Sequence, residues 1–198
     1  MKILLSKNKE VIKKYLKENM TIGFIPTASE PDKNRWYMEE DRADLSKMNL
    51  KVIDIDISNE TREEIIKKFN NVDVIFVAGG NSFYLLQQLK IKNIVQDLIE
   101  FANNKMYIGS SAGSCILCPS IDYVQKLDDK SQAPLLNNYA ALNLVNFYII
   151  PHYKSKEKYT KIANEIEKDY PNYNFVKLSN EEAIIIDDMN NCKITKTN

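Results

Sequence analysis

A surplus of charge of either sign is missing from this 198-residue chain: Lys and Arg together number 27, and so do Asp and Glu. Without a basic surplus the sequence offers no electrostatic attraction to nucleic acid or to an anionic membrane, so neither is expected as a partner. Apolar runs long enough to cross a bilayer are missing too. Hydrophobic residues make up 44 % of the chain and charged residues 27 %, which is typical of a globular protein, and the length predicts a single domain over residues 1–198.

Cysteine is scarce and is found at positions 115, 118 and 192. Residues 1–6 are too short for the apolar part of a signal peptide, and an odd number of cysteines without such a signal predicts reduced thiols in the cytoplasm. Cys115 and Cys118 have C-x-x-C spacing, but neither a second pair nor a histidine cluster completes a zinc site. We therefore interpret both as small core residues and expect no metal or cofactor.

Histidine is rarer still, because His152 is the only one. A serine hydroxyl is a poor nucleophile until a base removes its proton, and histidine is the usual base near neutral pH. Ser111 lies in the G-x-S-x-G sequence of residues 109–113, between two apolar segments, as in a nucleophile elbow between a strand and a helix. Glycine-serine turns also match this motif by chance, and a lone histidine can simply cap a strand. Together, however, they predict Ser111 as nucleophile and His152 as base.

Apolar strand-like runs alternate with helical patterns along the whole chain. The predicted strands cover residues 3–5, 22–26, 52–57, 72–78, 106–109, 147–150, 175–178 and 183–187. The predicted helices cover residues 9–19, 35–48, 60–69, 81–89, 93–102 and 156–170. Several strands are nearly continuous in Val, Ile and Phe, as strands buried on both faces are. The alternation predicts an α/β fold in which helices cover both faces of a mainly parallel sheet, with the site at the carboxyl ends of the strands.

A second glycine motif, Ala78-Gly79-Gly80-Asn81, ends one predicted strand and starts a predicted helix, for which Asn81 is a suitable N-cap. A developing oxyanion needs about two hydrogen-bond donors, and one usually comes from the residue after the nucleophile. We assign these donors to the backbone N–H groups of Ala112 and Gly80. Without the elbow, an ordinary strand-to-helix turn would explain Gly-Gly-Asn as well.

A triad also needs a group that orients the imidazole. The irregular segment 119–141, between the elbow and the histidine, contains Asp122, Asp128 and Asp129. Any of these gives the chain order Ser, Asp, His, and the spacing alone does not choose among them.

These motifs together resemble the dipeptidase E family, the aspartyl-dipeptidase-like serine peptidases that also include the cyanophycinases. The resemblance covers essentially the whole chain and is carried by residues 24–28, 39–42, 77–83, 107–113, 141–145 and 151–153. It implies a three-layer α/β/α sandwich with a mainly parallel sheet, like class I glutamine amidotransferases and flavodoxin-like folds. It also implies Ser111 as nucleophile, His152 as general base, and Gly80 with Ala112 as the oxyanion hole.

For the orienting acid, a Met/Leu-Asp pattern of the family falls on Leu127-Asp128, so the resemblance implies Asp128, with Asp129 as the alternative acid. The chain departs from the family shortly after the elbow, where dipeptidase E carries an arginine that binds an N-terminal aspartate. Ungapped matching places Asp122 there, and an acid repels an aspartyl side chain rather than clamping it. Strict Asp-X specificity is therefore not expected.

The sequence thus predicts a cytoplasmic serine peptidase that acts on small peptides, as a monomer or a homodimer. One alternative is an esterase or amidase for a non-peptide substrate, which a substrate panel would separate from a peptidase. Another is a non-catalytic binding protein on the same fold, which a fluorophosphonate probe would fail to label at Ser111.

Overall fold

Nine strands, seven α-helices and three short 3₁₀ helices are present in the computed structural model, which describes residues 2–187 and 191–196. The strands are β1 (Lys2–Ser6), β2 (Thr21–Ile25), β3 (Lys51–Asp54), β4 (Val74–Val77), β5 (Met106–Gly109), β6 (Tyr148–Ile150), β7 (Phe175–Lys177), β8 (Glu182–Ile186) and β9 (Cys192–Lys196). The helices are α1 (Lys9–Lys13), α2 (Trp36–Lys47), α3 (Arg62–Asn70), α4 (Ser82–Ile91), α5 (Val95–Asn104), α6 (Ala112–Cys115) and α7 (Glu157–Asp169). Within the described ranges, none of the helices has the length and apolar character that crossing a membrane requires.

Seven of the strands form one sheet in the order β3-β2-β4-β5-β1-β8-β9. The five strands from β3 to β1 pair in parallel, whereas β8 and β9 add antiparallel strands at one edge. The sheet is therefore mainly parallel, as the sequence predicts.

Both faces of this sheet are covered by apolar packing. Along β1, Ile3 and Leu5 join one buried cluster with residues of α3, α4 and α5, while Leu4 joins the opposite cluster with residues of α1 and α2. Successive strand residues point to opposite faces, so a continuous apolar strand is buried on both sides. This arrangement confirms the predicted layers of helix, sheet and helix.

The eight predicted strands are all present, with ends that differ by up to three residues. β9 was not predicted because it is short and mostly polar, with Ile194 as its only large apolar residue, and it is recognisable only by its pairing with β8. The predicted helix over residues 9–19 ends at Lys13. The strand before His152, β6, pairs with β7 in a separate two-stranded parallel sheet, so it does not belong to the main sheet.

Candidate active site

Four neighbouring strands of the main sheet end at the same edge, and the loops after them line one cavity of about 360 Å³. The loop after β4 contributes Gly79 and Gly80, and the loop after β5 contributes Ser111. Lys7 follows β1, and Asp32 lies beyond β2. Ligands of open α/β sheets bind at the carboxyl ends of the parallel strands, so this cavity is the candidate active site.

Ser111 lies between β5 and α6 with φ 49° and ψ −107°, a backbone conformation that residues other than glycine rarely adopt. The glycines of the motif are required for a different reason, which is close packing. A Cβ on Gly113 would lie 2.3 Å from the Val77 carbonyl oxygen, and one on Gly109 would lie 2.6 Å from the Gly113 carbonyl oxygen. The elbow therefore packs tightly on β4 and β5 and holds the serine in a strained conformation, as functional sites often do.

The predicted nucleophile and base lie within hydrogen-bond distance, because Ser111 Oγ is 2.8 Å from His152 Nε2. His152 follows β6 and also has a positive φ, 63°. β6 is held beside the elbow helix by two hydrogen bonds to the Ile149 carbonyl oxygen: the Tyr123 hydroxyl donates at 2.6 Å and the Cys115 thiol at 3.7 Å. The second, smaller sheet therefore brings the imidazole to the serine.

The other imidazole nitrogen, His152 Nδ1, lies 2.8 Å from Asn180 Oδ1. An amide oxygen only accepts hydrogen bonds, so Nδ1 carries the proton and Nε2 presents its lone pair to Ser111. Asn180 follows β7, the parallel partner of β6, and the Leu178 N–H donates to the Ile150 carbonyl oxygen between these strands. The two strands thus end side by side and bring His152 and Asn180 together.

The prediction that Asp128 orients the imidazole is therefore corrected. Its carboxylate accepts a hydrogen bond of 2.8 Å from the Ser82 N–H at the start of α4 and lines the cavity, and in the described part of the chain it forms no hydrogen bond with His152. The alternative acid, Asp129, is exposed and accepts from a backbone N–H two residues later. Asp122 accepts from nearby hydroxyl groups. The residue on Nδ1 is an amide that comes after the histidine, so it lies outside the segment between Ser111 and His152 that was predicted to supply the orienting acid.

Burial lowers the pKa of His152 below its ordinary value, and the charges of Lys7 and Lys158 act in the same direction. The hydrogen bond to Asn180 raises this pKa, but by less. The imidazole is consequently neutral at neutral pH, which is the form that can accept a proton.

The predicted oxyanion donors lie on both sides of the nucleophile. The Gly79-Gly80 turn packs on the elbow, since a Cβ on Gly79 would lie 3.2 Å from the Ser111 Cβ. Gly80 lines the cavity, and Ala112 is the first residue of α6, directly after the serine. Among the described residues, neither of these two N–H groups has a hydrogen-bond acceptor. Ala112 itself is only 1 % exposed and is not part of the described cavity lining, so the oxyanion role of the two N–H groups stays a prediction.

Replacing Gly80 by alanine is expected to damage both folding and catalysis. Its φ of 142° is open almost only to glycine, and a Cβ there would lie 2.1 Å from the Ala28 carbonyl oxygen. We expect the free energy of unfolding to fall by about 1–3 kcal/mol and kcat/KM to fall by roughly 10²-fold. Urea unfolding and peptide hydrolysis measure the two effects.

Gly23→Ala is the matched control, because its Cβ would crowd the side chains of Ile55 and Val72 in the core, far from the cavity lining. It should lower stability and leave kcat/KM within about twofold, the range expected of a change remote from the site. Equal losses of activity in the two variants would show that Gly80 acts only through folding.

An elbow serine paired with a histidine, at the carboxyl edge of a mainly parallel sheet, places the protein among the serine hydrolases. The sequence matches the profile of Peptidase family S51 over residues 3–194, and the chain belongs to that family. It is thus a serine-type peptidase, and peptides are its substrate class.

Relatives and solved structures agree with this assignment. An uncharacterized peptidase of Listeria innocua is 39 % identical over 173 residues, which are 86 % of this chain and 82 % of the relative. Peptidase E of a Nostoc species is 31 % identical over 149 residues, 73 % of this chain and 57 % of the relative.

Two crystal structures share the fold. That of a Listeria monocytogenes protein described as a candidate peptidase E matches with a TM-score of 0.89 and 35 % identity, covering 100 % of this chain and 98 % of the other. That of a peptidase from an acI-B1 Actinobacterium matches with a TM-score of 0.70 and 15 % identity, covering 99 % and 87 %, and supports the fold alone. The predicted resemblance to the dipeptidase E family and its glutamine amidotransferase-like fold is confirmed.

Proposed function

We propose that this peptidase hydrolyses small peptides, with Ser111 as nucleophile, His152 as general base and Asn180 as the residue that orients the imidazole. The observation that carries the proposal is the 2.8 Å distance from Ser111 Oγ to His152 Nε2. The hydrogen bond between His152 Nδ1–H and Asn180 Oδ1 supports it, because it leaves the lone pair of Nε2 free for the serine. Gly80 and Ala112 supply the oxyanion donors.

In the first half of the reaction, His152 Nε2 accepts the hydroxyl proton while Ser111 Oγ forms a bond to the peptide carbonyl carbon. The carbonyl oxygen becomes negative and accepts hydrogen bonds from the N–H groups of Gly80 and Ala112. The imidazolium then gives its proton to the leaving nitrogen, and the C–N bond breaks to leave an acyl-enzyme and a free amine. In the second half, a water molecule gives a proton to His152 and attacks the acyl carbon, and Ser111 leaves with the proton returned.

Small peptides suit the cavity, because its volume of about 360 Å³ lies at the lower end of small-molecule sites. A preference for N-terminal aspartate is not supported. The cavity lining among the described residues includes three aspartates and no arginine, and Arg42 and Arg62 pair with Asp54 and Asp97 elsewhere. We propose the cytoplasm as the location, since the buried cysteines Cys115 and Cys118 are free thiols and suit a reducing compartment.

Hydrolysis of a dipeptide library, with an aryl ester as comparison, tests the proposal. Release of amino acids from several dipeptides, lost in the Ser111→Ala protein, supports a peptidase of small peptides. Ester hydrolysis with no peptide hydrolysed would favour the esterase alternative.

Replacing Asn180 by aspartate is expected to move the acidic limb of the pH–rate profile to higher pH. A carboxylate beside Nδ1 stabilises the imidazolium and raises the pKa of His152, whose neutral form is the active one. In the wild-type protein burial lowers the pKa of His152 below its ordinary value. Activity is therefore lost only when the pH falls through this lowered pKa. The measurement is kcat/KM between pH 5 and pH 9.

Asn180→Asp should keep kcat/KM at pH 8 within about tenfold, because an aspartate carboxylate accepts the same hydrogen bond from His152 Nδ1. Asn180→Ala should lower kcat/KM at pH 8 by roughly 10²-fold, because nothing then holds the imidazole in its productive tautomer. Asn172→Asp, an exposed asparagine in the turn before β7, is the matched control for the added charge. An unmoved acidic limb in Asn180→Asp would show that Asn180 does not act on the base.

A further inference from the structure

Asp41 is a carboxylic acid on α2 that is only 7 % exposed and lines the same cavity as Ser111. Among the described residues no side chain or backbone group forms a hydrogen bond or an ion pair with its carboxylate. The acids beside it on the helix are different, because Glu40 and Asp44 both pair with Lys9. Asp41 is thus a buried acid that faces the cavity without a partner.

A buried carboxylate without a partner is unfavourable for the folded protein. Burial raises the pKa of Asp41 to about 6, although the charges of Lys7 and Lys9 oppose the shift and those of Glu40 and Asp44 add to it. The group is therefore ionised at pH 7 to 8, in a place where its charge is poorly solvated. A partner brought by a ligand would remove this penalty.

The other acids of the cavity already have partners. Asp32 accepts a hydrogen bond from the Tyr37 hydroxyl, and Asp128 accepts one from a backbone N–H. Among the described residues that line this cavity, Asp41 is therefore the aspartate for which no hydrogen bond or ion pair is present.

The lysines of the cavity do not neutralise Asp41 by direct contact. Lys7 Nζ lies 5.6 Å from the centre of the Trp36 ring, and Lys156 is exposed at the rim; neither forms an ion pair with Asp41 in the described part of the chain. With three aspartates against two lysines, the cavity has a negative surplus that favours a cationic ligand.

We propose that Asp41 binds an ammonium group of the peptide substrate. A metal ion fits less well, because the described residues contain no group of three or more His, Cys, Asp or Glu side chains that could hold one. The ammonium group is either the N-terminal amine or the side-chain amine of a lysine. This inference rests on the proposed function, since it assigns part of the substrate to a wall of the same cavity.

The test is peptide binding, measured by calorimetry at pH 7 in the Ser111→Ala background, where turnover does not interfere and the peptide amines are protonated. Two matched pairs of peptides distinguish the sources of the amine: Ala-Ala against N-acetyl-Ala-Ala for the N-terminus, and Lys-Ala against norleucyl-Ala for the side chain. We expect the amine-bearing member of at least one pair to bind tenfold or more tightly than its partner. Adding Asp41→Asn should abolish that preference and leave the neutral member within about threefold.

Asp44→Asn is the control. It removes an acid one turn further along the same helix, and Asp44 does not line the cavity. It should keep the preference. Asp41→Asn should also leave the melting temperature at pH 8 equal or higher, because it removes a poorly solvated charge. A retained preference in Asp41→Asn, or equally weakened binding of all four peptides, would overturn the inference. Turnover by the wild-type protein tests the proposed function separately.

Discussion

Replacing Ser111 by alanine should lower kcat/KM for peptide hydrolysis by about 10⁴-fold or more, because the reaction then lacks its nucleophile. The fold should persist. Alanine keeps the Cβ of serine, so the strained backbone at φ 49° is no worse, and the lost hydroxyl contacts only His152 among the described residues. Dipeptide hydrolysis and the melting temperature measure the two expectations.

A fluorophosphonate probe gives a second readout of the same variant. The wild-type protein should be labelled at Ser111, and the Ser111→Ala protein should not be labelled. Ser131→Ala, at an exposed serine in a short 3₁₀ helix outside the cavity lining, should leave labelling and hydrolysis unchanged. Hydrolysis near the wild-type rate in a folded Ser111→Ala protein would exclude this serine as nucleophile.

Replacing His152 by alanine should cause a loss of similar size, about 10⁴-fold, because among the described residues His152 is the hydrogen-bond partner of Ser111 Oγ that can accept its proton at neutral pH. Since the serine and the histidine act as one unit, the double variant should be no slower than either single variant. Added imidazole should restore part of the activity of His152→Ala and none of the activity of the double variant. A double variant much slower than both single variants would show independent roles.

The layered fold and the pairing of Ser111 with His152 could be predicted, because the sequence signals for them are local or unique. The continuous apolar runs of β4 and β5 are typical of strands buried on both faces. The elbow is a short motif, and a chain with one histidine leaves no choice of base. The way in which residues 111 and 152 meet was not predicted, because the strand before His152 lies in the separate small sheet and not in the main sheet.

The third group of the site could not be predicted, since it depends on a pairing between distant parts of the chain. Asn180 reaches the imidazole because β7 lies beside β6, and short apolar strands do not specify their partners. Triads usually have a carboxylate at this position, whereas the group here is an amide. The burial of Asp41 could have been predicted from the sequence. Asp41 lies one turn before Leu45 on the inward face of α2, where an acid is unexpected.

The serine and the histidine follow strands of two different sheets, β5 in the main sheet and β6 in the small one, so their spacing depends on how the small sheet packs against α6. Tyr123 and Cys115 maintain that packing through the Ile149 carbonyl oxygen. Evolutionary selection for hydrolysis therefore extends to interior residues behind the catalytic pair, and drift at these positions would impair the enzyme without altering its reacting groups.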